Sequence, residues 1–448
     1  MMLGTAAACI SQSMMISALP TIMEEFGVDA TLGQLLTTSY IFTLGLISAV
    51  SAFLTNRVNA KWLFMIALGI FIAGCAAALV APNYWLLLAA RLFQAGGAGI
   101  LLPLVQVVAL TVYSKSEYGK AMGIVGVIIG FAPAIGPTIS GFLIDWWGWH
   151  SVFVALGAVA AVVAVVAVPL LPGDIATQHG GKAHFDVLSV LLYSAGLIAV
   201  LVGVTIAETA GLTAASILPV AGGAAVLALF VRRQLASDDP LLKLSCFKNR
   251  TFAVSTVLVL AAQVAFMAGS NMVPLFVQDV QMESATVSGL AILPGAVLLG
   301  FLNPVTGRYL DRHGPVRLIV AGGIIMVAGT VAFVPLGPDT PVWLVTLLYG
   351  VRTVGVSCIM MTLNAYGCAA LPVDDLAQGT AIMNSFRQIF GSISTSVLIA
   401  IMAASSAGAL GIDAHGFGVS FLVQAVVVGA GCLVGLVLLP RARKRAAK

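Results

Sequence analysis

The chain has 448 residues, 60% of them apolar and 8% charged, with a mean hydropathy of +1.08. That composition lies far outside the range of water-soluble globular domains. The net charge of +4 sits in short loops and in the tail 441–448, so no folded basic surface for nucleic acid is expected.

Fourteen apolar runs follow one another, near 3–19, 31–54, 62–81, 86–110, 121–144, 151–171, 186–206, 215–235, 251–276, 287–306, 317–336, 341–365, 378–403 and 417–439. Each approaches the roughly 20 residues that cross about 30 Å of hydrocarbon. The loops leave no room for a separate soluble domain. The first run begins almost at Met1, lacks a basic flank and reaches Pro20. Further spans follow it too closely for a simple signal peptide, and a truncated or misplaced start is the other expectation.

Of 21 Lys and Arg residues, three (Arg91, Arg352 and Arg387) fall in the middle of runs, and the other 18 fall in alternate loops or at the run ends that border them. The intervening loops carry Glu24, Glu25, Asp29, Asp145, Glu208, Asp279, Glu283, Asp339 and Asp413 instead. Basic loops stay on the cytoplasmic side during insertion. Both termini are therefore expected in the cytoplasm of a multi-pass inner or plasma membrane protein. The basic tail is expected to meet anionic lipid, at about 1 kcal/mol per residue. The six cysteines (Cys9, Cys75, Cys246, Cys358, Cys368 and Cys432) show no paired spacing and read as small apolar fillers.

A repeat shows in the basic loops. Gly307-Arg308-Tyr309-Leu310-Asp311-Arg312-His313-Gly314 follows run 10, and Ala52-Phe53-Leu54-Thr55-Asn56-Arg57-Val58-Asn59, a worn copy, follows run 2. Arg91 in run 4 and Arg352 in run 12 are also eight helices apart. Six helices, two inserted and six more satisfy that displacement. The expected division is 1–172, an inserted pair 173–240, 241–440 and the tail 441–448. Parallel halves around a central site are an arrangement of secondary transporters.

With these residues in view, the chain resembles the fourteen-helix drug:proton antiporter branch of the major facilitator superfamily along nearly its whole length. The Gly-x-x-x-Asp-Arg-x-Gly loop is similar to the superfamily's cytoplasmic gate motif; Asp311 and Arg312 match it, and Asn56 and Asn59 depart from it. Arg91-Leu92-Phe93-Gln94-Ala95-Gly96-Gly97 resembles the Arg-x-x-Gln-Gly motif of helix 4, except at Ala95. Run 5 resembles the antiporter motif, with Gly136-Pro137 followed by Gly141. Asp238-Asp239-Pro240-Leu241-Leu242 and Asn384-Ser385-Phe386-Arg387-Gln388 also look like this branch. The resemblance implies a major facilitator fold and an all-α polytopic membrane protein. It also implies drug efflux by proton antiport, a coupling role for Arg91, and gating by Asp311 and Arg312.

The residues speak for themselves as well. Gly123, Gly126, Gly130, Ala134, Pro137 and Gly141 put small side chains on one face of run 5, where a neighbouring helix can come close, in transport or in ordinary packing. Gly136-Pro137 invites a kink. Gln94 shares a helix face with Arg91, and Asn384 with Arg387; each buried arginine either clamps helices or faces a cavity. Arg387 is the best anion-attracting candidate. Tyr40, Gln106, Gln263, Asn271, Arg352, Asn364, Asn384 and Arg387 are the candidates for lining a substrate cavity, the alternative being interhelical hydrogen bonds.

No acid lies mid-run. Ser11 stands where the branch usually has an aspartate, so the coupling proton falls to Asp145, Glu208 or Asp279 at helix ends, or to none. Buried arginines without buried acids favour neutral, zwitterionic or anionic substrates over dications. The expected partners are a small-molecule substrate, protons and membrane lipid, with no cofactor or metal, and a monomer is expected. A membrane enzyme would need clustered His, Cys, Asp or Glu within helices, and no phosphate-binding GxxxxGK[ST] loop is present to support ATP drive. A dedicated metabolite exporter or facilitator and a non-transporting sensor or scaffold are the alternatives.

Overall fold

The computed structural model describes residues 1–28, 30–55, 57–172, 186–210, 213–237, 240–406 and 413–446. Lys182, His179, His184, Asp29, Asn56, Asp238 and Asp239 lie outside the described residues, as do the side chains of Ala134, Glu208 and the tail from Arg441 onward.

Fourteen α-helices follow in order: α1 (Met2–Phe26), α2 (Ala30–Thr55), α3 (Ala60–Leu79), α4 (Tyr84–Val112), α5 (Tyr118–Trp147), α6 (His150–Leu170) and α7 (Val187–Ala210). Then come α8 (Ala214–Ala236), α9 (Arg250–Leu275), α10 (Ala285–His313), α11 (Pro315–Val331), α12 (Val342–Ala369), α13 (Leu376–Ser405) and α14 (Ala414–Ala446). Among the described residues, 13 helices are long and apolar enough to cross a membrane, and α11 is shorter. In hydrocarbon every backbone polar group must be satisfied within its own segment, so apolar runs of this length become helices.

The ends have local causes. Asn59, Asn83 and Asn249 cap α3, α4 and α9, each side chain accepting from backbone amides of the first turn. The helix α1 passes Pro20 and stops at Gly27, whose φ of 62° suits glycine. Run 11, expected to reach residue 336, ends as a helix at Val331. Pro335, Gly337 and Pro338 follow, and a proline disfavours helical backbone in the residue before it. Beyond Leu275 the helix α9 continues as one π-helical stretch, Phe276–Val280.

By its contacts the chain divides into two compact units. The first comprises Met1–Lys115, Ile124–Lys182 and Val373–Ile389; the second comprises Ser116–Gly123, Ala183–Pro372 and Phe390–Lys448. Within the first, α1 packs on α2, α4 and α6, α2 on α3 and α4, and α3 on α4 and α6. Within the second, every one of these pairings recurs eight helices later: α9 on α10, α12 and α14, α10 on α11 and α12, and α11 on α12 and α14. The helices α7 and α8 pack chiefly on each other. Gly196 of α7 and Gly223 of α8 face each other so closely that a Cβ on Gly223 would lie 2.8 Å from the Val200 nitrogen. Lipid chains are as apolar as leucine, so helices here associate through such close packing and through polar bonds.

The first unit's core contains Phe64, Phe71, Trp149 and Phe153. The second contains Phe276, Phe333, Phe417 and Phe421, with ring centroids of 4.2 Å for Phe276–Phe417 and 4.5 Å for Phe417–Phe421. Valines such as Val154, Val162 and Val165 of α6 face outward, as lipid-facing side chains do.

Candidate functional site

In the first unit, α4 carries Arg91, which is fully buried. Its Nη1 donates to Ser11 Oγ of α1 at 3.0 Å and to Gln94 Oε1 one turn along. Its guanidinium lies 4.1 Å from the ring centroid of Tyr40 in α2 and 6.0 Å from that of Phe153 in α6. Gln94 in turn donates to Cys75 Sγ at 3.0 Å. The hydroxyl of Tyr40 donates to the Ala8 carbonyl at 3.1 Å. One side chain of α4 thus joins α1, α2 and α6, and Ser11, where the branch usually has an aspartate, is its hydroxyl partner.

The second unit repeats the theme with different parts. Arg352 of α12 is 2% exposed, donates through Nη2 to the Ala265 carbonyl of α9, and lies 5.5 Å from the Phe421 ring of α14. Its Nη1 occupies the space that a side chain on Gly269 would fill. As with Arg91, the partners belong to the first and sixth helices of its set.

A third arrangement lies at the end of α10. The carboxylate of Asp311 accepts from the backbone amides of Gly119 at 2.8 Å and Lys120 at 2.7 Å, the first turn of α5. A negative group there meets unpaired amides and the positive end of the helix dipole. The two backbones touch: a Cβ on Gly119 would strike the Gly307 carbonyl, and one on Gly123 would lie 2.7 Å from the Asn303 oxygen. Gly314 takes a φ of 77° and ends the loop. Arg312 is exposed, as is Arg57, whose guanidinium stacks 4.6 Å from the Phe53 ring.

The small residues of α5 meet two helices. Beyond Gly123, Gly136 faces Ser13 of α1, and Ser13 Oγ donates to the Ala132 carbonyl at 2.8 Å while Ser17 reaches the Pro137 carbonyl at 3.4 Å. The helix runs unbroken through Gly136-Pro137. Gly141 has open space beside it, and Gly126 and Gly130 lie between these two contacts.

The cavity candidates fall into separate groups. Gln106 of α4 and Asn384 of α13 are fully buried and bonded at 2.6 Å, and Asn384 Oδ1 accepts from Arg387 at 2.9 Å. Tyr40 belongs to the Arg91 cluster. In the second unit Gln263 and Asn364 are buried, Asn364 Oδ1 lying 3.6 Å from Cys368 Sγ, while half-buried Asn271 donates to the Met267 carbonyl of its own helix. Asp145 and Asp279 are exposed. All six cysteines are free. Among the described residues, no group of His, Cys, Asp or Glu could hold a metal. Ser11 as a ligand of Arg91, Gly119, and the rings of Phe153 and Phe421 were not found from the sequence. Only Gly119 had a signal there, its four-residue spacing to Gly123.

Two repeat-related sets of membrane helices, each with a buried arginine tying its first helix to its fourth, are an arrangement of multi-pass transporters. The family model described as Major Facilitator Superfamily matches residues 1–395. The chain is 36% identical over 441 residues to the MFS-type transporter YcnB of Bacillus subtilis, covering 97% of this chain and 93% of that one. It is 32% identical over 422 residues to the lincomycin resistance protein LmrB of Listeria monocytogenes, covering 94% and 88%. Its fold is similar to the crystal structure of the human organic anion transporter MFSD10 (TETRAN), with a TM-score of 0.68, 12% identity and 97% of both chains covered. This chain belongs to the major facilitator superfamily, and its relatives include transporters of the drug-efflux type.

Proposed function

We propose that this transporter exports small amphipathic compounds in exchange for protons by alternating access. The likeness to a lincomycin resistance protein across 94% of the chain carries this reading. In it, residues 1–172 and 241–440 form the two six-helix halves, with 173–240 inserted and both termini cytoplasmic. The Asp311 cap on α5 holds the cytoplasmic end closed, and Arg91 couples α1 to α4 during the cycle. Asp145, Glu208 and Asp279 are the candidate proton carriers. The working form is a monomer.

The charge of the substrate follows from what is buried. Arg91, Arg352 and Arg387 are at most 2% exposed, and among the described residues no Asp or Glu is buried. A buried cation is poorly served by this interior, and a neutral, zwitterionic or anionic compound well served. The same observation favours a second reading, a facilitator that runs down its substrate gradient without protons.

Efflux of a cationic, a neutral and an anionic fluorescent compound from energised cells tests the proposal, comparing the wild type with Arg91→Ala, with and without an uncoupler. The expected outcome is Arg91-dependent efflux that stops with the uncoupler, the monocationic dye being moved least. Efflux that continues in the de-energised cell at the same rate would replace the antiporter with the facilitator.

A further inference from the structure

Three guanidinium groups are buried in this protein, and their surroundings differ in kind. Arg91 faces two aromatic rings and bonds to Ser11 and Gln94 through Nη1, its Nε and Nη2 making no hydrogen bond, so that the rings set it apart from Arg387 and not the number of idle donors. Arg352 faces one ring and bonds to a backbone carbonyl. Arg387 is 2% exposed, yet its hydrogen bonding consists of one contact, from Nη2 to Asn384 Oδ1 at 2.9 Å. Its Nε and Nη1 are completely buried and make no hydrogen bond, which leaves three N–H groups of a permanent cation unused. Among the described residues no ring stacks on it.

The neighbours of Arg387 are held in place. Asn384 donates to Gln106 Oε1 at 2.6 Å and to the Thr380 carbonyl at 2.9 Å, so its Oδ1 is aimed at Arg387 and, at 3.5 Å, at the Gln106 amide nitrogen. Ser385 ties the same turn of α13 to the Gly45 carbonyl of α2 at 2.7 Å. All of these residues belong to the first unit. A rigid, dehydrated guanidinium with idle donors and amide groups alongside is the arrangement that receives an oxyanion through charge-assisted hydrogen bonds. The aromatic contacts that offset the charge of Arg91 and Arg352 are missing here, so the charge of Arg387 is free for a ligand.

We infer that Arg387, Asn384 and Gln106 form the subsite that receives a carboxylate or similar oxyanion of the transported compound. This rests on the transporter reading above and assigns its substrate an anionic oxygen group. Arg387 supplies the charge, Gln106 a second donor, and Asn384 orients both.

The test is equilibrium binding of 1-pyrenebutyrate and its uncharged amide to the purified full-length protein, followed by pyrene fluorescence. Wild-type protein is expected to bind the carboxylate at least about tenfold more tightly than the amide. Arg387→Gln is expected to abolish that ratio while amide binding stays within about twofold, which also shows that the variant is folded. Arg387→Lys keeps the charge and is expected to keep part of the ratio. Equal binding of the two compounds by the wild type, or a ratio that survives Arg387→Gln, would overturn the assignment. Loss of both compounds in Arg387→Gln and Arg387→Lys alike would make Arg387 a helix clamp and overturn it as well. Export is measured separately: a wild type that discriminates in binding but exports nothing keeps this subsite and loses the exporter reading.

Discussion

Arg91 and Asp311 show how one charged side chain can organise a membrane helix bundle. An arginine at the centre of a membrane helix costs about 2.5–3.5 kcal/mol on insertion scales. A desolvated cation–π contact returns about 2 kcal/mol and each hydrogen bond to a charged group about 1.5–3 kcal/mol. The Tyr40 ring, Ser11 and Gln94 offset that cost, against which stand its buried Nε and Nη2 without hydrogen bonds, and together they tie Arg91 into the bundle. Asp311 works at a helix end instead, where its charge and the amides of Gly119 and Lys120 attract. Asp311→Asn keeps the shape and removes the charge, a loss of about 1 kcal/mol at a partly exposed helix terminus. Transport by this variant is expected to fall several-fold, while Asp339→Asn in a turn elsewhere stays near wild type at matched expression. Equal rates in the two variants would remove the gating role.

At the scale of the element, the α7–α8 hairpin carries its own fastening. Asp186 precedes α7 and pairs in a two-pronged contact with Arg233 of α8, at 2.9 and 3.1 Å. It also caps α7 through Ser189, whose hydroxyl accepts from Gln234 at 2.6 Å. The Arg233 hydrogen bond, with those of Ser189, holds the Asp186 carboxyl down at about 2, against an ordinary 3.8. A depressed folded-state value stabilises above the ordinary pKa, and that contribution is lost as pH falls through about 2. Asp186→Asn is therefore expected to lower the melting temperature by the same amount at every pH from about 5 to 8. A difference from wild type that shrinks across that interval would show that another group titrates with the pair. The close approach of α5 to α10 belongs to the same scale. The run of small residues announces that some helix comes near, and only the fold shows that α10 takes Gly119 and Gly123 while α1 takes Gly136.

For the whole molecule, the alternation of basic and acidic loops predicts both termini in the cytoplasm. Reporter fusions at Met1 and Lys448 test this; activity of a cytoplasm-dependent reporter at both ends is expected, and signals on opposite sides would require an odd number of crossings. The repeat was legible because Arg57 and Arg312, and Arg91 and Arg352, survive in both halves. Tertiary structure extends it to every packed helix pair of the first six. Run 11 shows the limit of hydropathy: Ala332, Phe333, Val334 and Leu336 are apolar enough to continue a span, but Pro335 and Gly337 end the helix at Val331.

The sequence by itself determined the helices, their number and the three intramembrane arginines, because these depend on local hydropathy and on charges that are rare enough in a membrane to stand out. The partners of those charges depended on tertiary structure. Asp311 meets Gly119 across 192 positions of chain, and Gln106 meets Asn384 across 278. Both contacts join helices far apart in sequence, and helical periodicity fixes which face a residue occupies without saying which helix that face will meet. The same holds for the three guanidiniums, alike in sequence. All three keep buried nitrogens without a hydrogen bond, and only packing decided that Arg91 and Arg352 lie against aromatic rings while, among the described residues, Arg387 does not.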